Sequence, residues 1–177
     1  MRLDPKYFNL FIAICAALTI IAIVWSTFSY SQTQKDEFRE NLEKVQLDEV
    51  VFKSYSEADS ISLGDKKGAP VIIQFWSTWS GKSKQVHSFI NDFQQSSPDL
   101  VVLSASVKDA EELIREYMNE QAYDFHYVEG TDFFQGLYVP GVPSSILIDR
   151  DGNLFYSQVG DDIESLEKAL KNMRHEP

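Results

Sequence analysis

The first long apolar run in the chain covers residues 8–28, FNLFIAICAALTIIAIVWSTF, and holds no charged side chain. Its length matches the roughly 20 helical residues that cross a bilayer's hydrocarbon core. Lipid offers no partners for backbone N–H and C=O groups, so a spanning run of this kind must be helical. Trp25, Phe28 and Tyr30 at one end, and Tyr7 at the other, stand where interfacial aromatic residues belong. The run is longer than the apolar part of a cleaved leader and no small-x-small site follows it, which favours an uncleaved anchor. Residues 29–47 are polar, with Phe38, Leu42 and Val45 at helical spacing. They read as a linker, or as a stalk that prolongs the helix.

A folded domain is expected from residue 48 to residue 177. VVFKSY at 50–55 carries a β signal, and a turn at 64–68 leads to VIIQFW at 71–76. That nearly continuous apolar run is the mark of a buried central strand. Val86, Phe89, Ile90 and Phe93 then follow one helical face, with Ser80 at the N-cap position. LVVLSA at 100–105 reads as a second buried strand, and Ala110, Leu113, Ile114, Tyr117 and Met118 line the next helix. A weaker strand at 124–128 precedes a short aromatic segment at 133–138. SSILID and NLFYSQV, joined across Asp151 and Gly152, read as a hairpin. A closing helix carries Ile163, Leu166, Ala169, Leu170 and Met173. This alternation of strands and helices, closed by a hairpin and a helix, predicts an α/β fold, a mixed central sheet with helices on both faces, preceded by one transmembrane helix.

Composition narrows the function. The 177 residues carry a net charge of −11 and a pI near 4.6, which excludes a nucleic-acid binder, since phosphates call for excess Lys and Arg. The acidity fits a solvated surface, or else a docking face for a basic partner. The single cysteine, Cys15, lies in the apolar run and has no internal partner for a disulfide. His87, His126 and His175 are scattered and read as surface or half-buried residues, so neither a metal nor a cofactor is expected. Arg2 and Lys6 precede the span, while Lys35 and Arg39 follow it among acidic residues. That small bias predicts a single pass through the cytoplasmic membrane, with residues 1–7 inside and the domain in the periplasm or outside the cell.

FWSTWSGKS after the central strand and GVPSSILID before the hairpin, in register with this β/α order, resemble the thioredoxin superfamily. The resemblance is to the membrane-anchored TlpA/ResA-type proteins of cytochrome c maturation and extracytoplasmic thiol reduction, and it covers about residues 48–173. It rests on Phe75, Trp76, Thr78 and Trp79, on Gly141, Val142 and Pro143, and on Ile148, Asp149, Asp151 and Gly152. It implies a thioredoxin-like fold and a cis peptide before Pro143, with Val142 offering its backbone to an extended peptide beside the active-site loop. The departure is chemical. Ser80 and Ser83 occupy both positions of the C-x-x-C pair, Lys82 replaces the usual proline, and Gln74 stands where classical thioredoxins hold a buried Asp.

Disulfide exchange needs a thiolate and a resolving thiol, and serine supplies neither. A serine nucleophile would need a base, and His87 lies two helical turns beyond Ser80. The sequence is therefore read as a redox-inactive accessory subunit of a membrane complex, with no catalytic residue. Trp76, Trp79, Lys82, Tyr138, Val142 and Pro143 are the candidate contacts for a partner or peptide segment. Two other readings stand beside it. One is an oxidoreductase of the cytochrome c maturation type in which serine has been substituted for both cysteines. The other is a peptide-binding chaperone.

Overall fold

The structure, a computed structural model, describes residues 5–56 and 60–175. The flanking Arg2 and residues 176–177 lie outside the described residues. Helix α1 (Pro5–Glu43) runs without a break through the apolar stretch and the polar stretch after it. A hairpin of β1 (Val51–Lys53) and β2 (Ser60–Ser62) follows. The main sheet has five strands: β3 (Val71–Trp76), β4 (Val101–Ser106), β5 (His126–Glu129), β6 (Ser144–Ile148) and β7 (Leu154–Val159). Their spatial order is β5-β4-β3-β6-β7. β3, β4 and β5 are parallel, while β6 runs antiparallel to both β3 and β7. Four more helices complete the domain: α2 (Gly81–Gln95), α3 (Glu111–Gln121), α4 (Thr131–Gly136) and α5 (Ile163–His175).

This is the mixed sheet with helices on both faces that the apolar pattern predicts. β3 is central because all six of its residues are buried, and each edge finds a partner strand. Side chains alternate across a strand, so β3 feeds two cores. Ile72 and Trp76 pack with Val86 and Ile90 of α2, Ile114 and Tyr117 of α3, and Leu166 and Leu170 of α5. Val71, Ile73 and Phe75 pack with Phe52, Ile61 and Leu137, and with Phe133 and Phe134 of α4 at its border. The aromatic segment at 133–138 is therefore a short helix followed by a loop. β2 is an addition with no sequence expectation behind it, because three residues with one apolar side chain give too short an alternation to read.

Phe38 and Leu42 of α1 join the second of these cores at 2% and 1% exposure, together with Leu47. Residues four apart share one helical face, so the last turns of α1 turn an apolar stripe inward while Arg39, Glu40 and Glu43 stay in solvent. The core thus reaches upstream of the boundary expected at residue 48. Burying side chains of this size contributes about 1.5–3 kcal/mol each. Leu42→Ala in a chain starting at residue 32 is expected to lower stability by about 2–4 kcal/mol in urea unfolding. A chain starting at residue 48 should unfold at a still lower urea midpoint. A loss under about 0.5 kcal/mol for Leu42→Ala would mean that the helix merely rests on the surface.

Candidate functional site

The carboxyl ends of β3 and β4 and the start of β6 bring three loops to one edge of the sheet. After Trp76 the chain turns sharply and is tied down at each step. The Ser77 hydroxyl donates to the Val107 carbonyl at 2.7 Å, and the Val107 N–H donates to the Trp76 carbonyl at 2.9 Å. Asp109 accepts from the Thr78 N–H at 2.6 Å and from its hydroxyl at 3.1 Å. Ser80 then adopts an extended conformation, and its Oγ accepts the Ser83 N–H at 3.2 Å. This is the expected N-cap, which satisfies one of the four N–H groups a helix start leaves open.

The two serines occupy different environments. Ser80, itself only 7% exposed, is the helix cap, its hydroxyl engaged by the Ser83 N–H. Ser83 is fully buried, and its hydroxyl has no hydrogen-bond partner. Pro143 follows a cis peptide, as the resemblance implies, and its carbonyl accepts the Gly160 N–H at 2.8 Å. Val142 beside it is half-buried. Lys82 projects into solvent, but its ammonium donates to Asp161 at 2.9 Å rather than standing free for a partner. That hydrogen bond holds the Asp161 carboxyl below its usual range.

The expected contact residues therefore divide. Trp79 is 75% exposed and Tyr138 is 66% exposed, so both rings are open to a partner. Trp76 is not. It is fully buried, its ring centroid 4.6 Å from those of His87 and Tyr117, and it belongs to the core because β3 has no exposed face. Asp109, which clamps Thr78, carried no sequence signal, since a lone Asp in a loop looks like any other.

His87 departs most from expectation. It is completely buried beneath α2, with Nδ1 3.1 Å from the Tyr117 hydroxyl and Nε2 3.1 Å from the Ser104 hydroxyl. Burial disfavours the charged ring, so the imidazole is neutral, with one nitrogen donating to a hydroxyl and the other accepting from one. Both nitrogens are engaged by Tyr117 and Ser104, and neither Ser80 nor Ser83 pairs with His87. Desolvation by burial lowers the His87 pKa to about 3. Among the described residues no group of His, Cys, Asp and Glu side chains has the arrangement to hold a metal ion.

The redoxin family pattern matches residues 42–173, three-quarters of the molecule and both motif loops. The chain belongs to the redoxin family. Among curated relatives, the thiol-disulfide oxidoreductase ResA of Bacillus anthracis is 27% identical over 124 residues, covering 66% of this chain and 70% of that protein. The thiol:disulfide interchange protein DsbE of Vibrio cholerae is 27% identical over 164 residues, covering 86% and 85%. Two solved structures share the fold. A thiol:disulfide interchange protein of the thioredoxin family from Chlorobium tepidum superposes with a TM-score of 0.59 at 18% identity, over 70% of this chain and 92% of that one. StoA from Bacillus subtilis does so with a TM-score of 0.56 at 17% identity, over 68% and 95%. With one cysteine, inside the apolar helix, this redoxin lacks the C-x-x-C pair.

Two predictions follow from this geometry. Ser80→Ala removes a cap and is expected to cost about 1 kcal/mol, whereas Ser83→Ala deletes an unpartnered buried hydroxyl and should leave stability unchanged or raised. Equal losses in chemical denaturation would show that the two hydroxyls have the same role. The second concerns acid. Unfolded chains protonate His at its ordinary pKa near 6.5, but folded His87 stays neutral down to about 3. Between those values the unfolded state binds more protons, so His87 makes stability fall as pH falls, by up to about 1.4 kcal/mol per pH unit. Tyr117 and Tyr127, pushed up by burial, stay neutral throughout this window. Unfolding free energies measured from pH 7 to pH 4 should fall more steeply for the native chain than for His87→Gln. Parallel profiles would show that His87 does not carry this dependence.

Proposed function

We propose that this redoxin is a membrane-anchored, redox-inactive thioredoxin-like domain that serves as an interaction subunit of a membrane protein complex, on the outer side of the cytoplasmic membrane. The observation that carries the proposal is the pair of serines at the thiol positions, one a helix cap and the other buried. A hydroxyl cannot form a mixed disulfide, so no electron pair passes through this site. The long apolar stretch of α1 supports the anchor, and the small positive bias before it supports the orientation. Trp79, Tyr138 and the Val142 backbone remain at the loop edge, where an extended segment can pair without chemistry.

The buried Ser83 hydroxyl favours descent from a thiol-bearing protein. A thiol behaves as a small hydrophobe and tolerates a site without a hydrogen-bond partner, whereas a hydroxyl does not. This is the observation that keeps the substituted oxidoreductase as the second reading.

The native chain is expected to give no acceleration of insulin reduction by dithiothreitol, and purification in mild detergent should recover a membrane partner in fixed proportion. Any turnover above the uncatalysed rate would overturn the redox-inactive reading. The double variant S80C/S83C separates the two readings, because full activity on restoring the thiols alone would favour an oxidoreductase whose remaining machinery is intact.

A further inference from the structure

Beyond α1, the large apolar or aromatic side chains that stay exposed among the described residues are Val51, Trp79, Leu113 and Tyr138. Trp79 and Tyr138 lie on the loops that lead to Ser80 and to Pro143. Tyr138 also holds a positive φ of 55°. A left-handed conformation is costly for a bulky residue, and this ring, open to solvent, returns little packing to its own domain. An exposed aromatic residue kept at a strained position points to a contact outside the domain.

The course of α1 shows where that contact lies. Arg39 and Glu43 line one cleft with residues 154–157, and Leu42 and Glu43 line the next with residues 151–154. As α1 advances, its neighbours move back along β7, so helix and strand run in opposite directions. The membrane-proximal end of α1 therefore points toward the carboxyl end of β7. Just past that end is Asp161, paired with Lys82 in the first turn of α2, which starts directly after Ser80.

Lengths place this edge. Residues 8–28 span about 31 Å at 1.5 Å per residue, enough to fill the hydrocarbon core. A headgroup layer of about 6 Å takes α1 to near residue 32, which leaves Arg39 about 10 Å above it. From residue 157, which lines one cleft with Arg39, β7 and the residues after it run about 13 Å back to Asp161. The two paths nearly cancel, and the loop edge returns to headgroup level.

We infer that the carboxyl edge of the sheet faces the bilayer, and that Trp79 and Tyr138 rest in the lipid headgroup interface on the side where α1 emerges. The inference rests on the reading of α1 as a membrane anchor. Amphipathic rings favour that interface, and the unbroken α1 with Phe38 and Leu42 locked in the core holds the edge against it. Electrostatics contribute little to this contact. The Lys82 ammonium is paired with Asp161, and Glu111, Glu112, Asp132 and Asp162 lie on the segments around the edge. Zwitterionic lipid is the expected surface, and the contact should be insensitive to salt.

The test uses the full chain carrying Trp25→Phe, reconstituted in phosphatidylcholine vesicles with nitroxide-labelled headgroups. Trp76 is buried, so Trp79 reports the edge. Flotation with the vesicles checks the anchor, and a chain that fails to float overturns the anchor reading and this inference with it. In the floating protein, labelled lipid should quench at least about a third of the emission, and Trp79→Phe should abolish that loss. A flexible Gly/Ser insertion after Gln34 should also abolish it while flotation persists. Emission unaffected by labelled lipid but quenched by aqueous acrylamide would overturn the inference while leaving the anchor intact. Quenching that survives the insertion would overturn positioning by the helix. Shielding of Trp79 only on addition of a detergent extract of membranes, and not in lipid alone, would overturn the lipid assignment in favour of a protein partner.

Discussion

Strand β3 sets the terms for the rest of the domain. Its six residues have no exposed face, and its backbone is committed to β4 on one side and β6 on the other. A strand held so firmly ends at a fixed point, and the chain leaving it must satisfy its polar groups at once. Ser77, Thr78 and Ser80 do so through Val107, Asp109 and the first turn of α2. None of these bonds needs a thiol. The loop keeps its shape because helix and strand ends need an oxygen acceptor, and serine supplies one. Absence of the thiol pair and retention of the loop are therefore separate matters in this molecule.

Beneath α2 the balance is different. Gln74, Ser104 and Ser145 stand in register across three strands, with Ser83 and His87 of α2 and Trp76 of β3 in the same buried region. Ser104 and His87 bond to each other, but the Gln74 amide, the Ser83 and Ser145 hydroxyls and the Trp76 indole N–H have no partner. Each such group costs about 1–3 kcal/mol when buried, and apolar substitutes would fill the same space. These groups gather under the site instead of scattering through the core. Where residues depart from what stability alone would select, function is the usual cause, past or present. The layer marks where a thiol pair would have operated, and the domain carries its cost with apolar packing on both faces of the sheet.

The fold was legible because its signals were strong and local. VIIQFW, the hairpin turn at Asp151 and Gly152, and the α2 face at Val86, Phe89, Ile90 and Phe93 each follow one period over enough residues to be read. Ser80 as a cap was legible for the same reason, since capping depends on residue type and position alone. The rest depended on distant neighbours. His87 looks like a surface residue until Tyr117 and Ser104, both far along the chain, close over it. Trp76 and Trp79 are three residues apart and equally aromatic, yet a strand covered on both faces buries one and the turn exposes the other. Lys82 reads as a free charge until the loop after β7 brings up Asp161. The burial of Phe38 and Leu42 was half legible, as spacing without a partner surface.

That burial also bears on the kind of protein this is. A flexible tether of about 15 residues would have an end-to-end distance near 20 Å and let the domain turn freely, presenting its site in many directions. Such freedom suits an enzyme that passes electrons between partners in turn. A continuous helix docked into the core removes it and fixes the direction of the loop edge relative to α1. The ordering entropy is then paid on folding rather than on each encounter, which favours one standing contact over many transient ones. A domain without the thiol pair has no disulfide to carry from one partner to another. Rigid attachment and the missing thiol pair thus agree, and both favour the proposed role, that of a surface held in place beside the membrane.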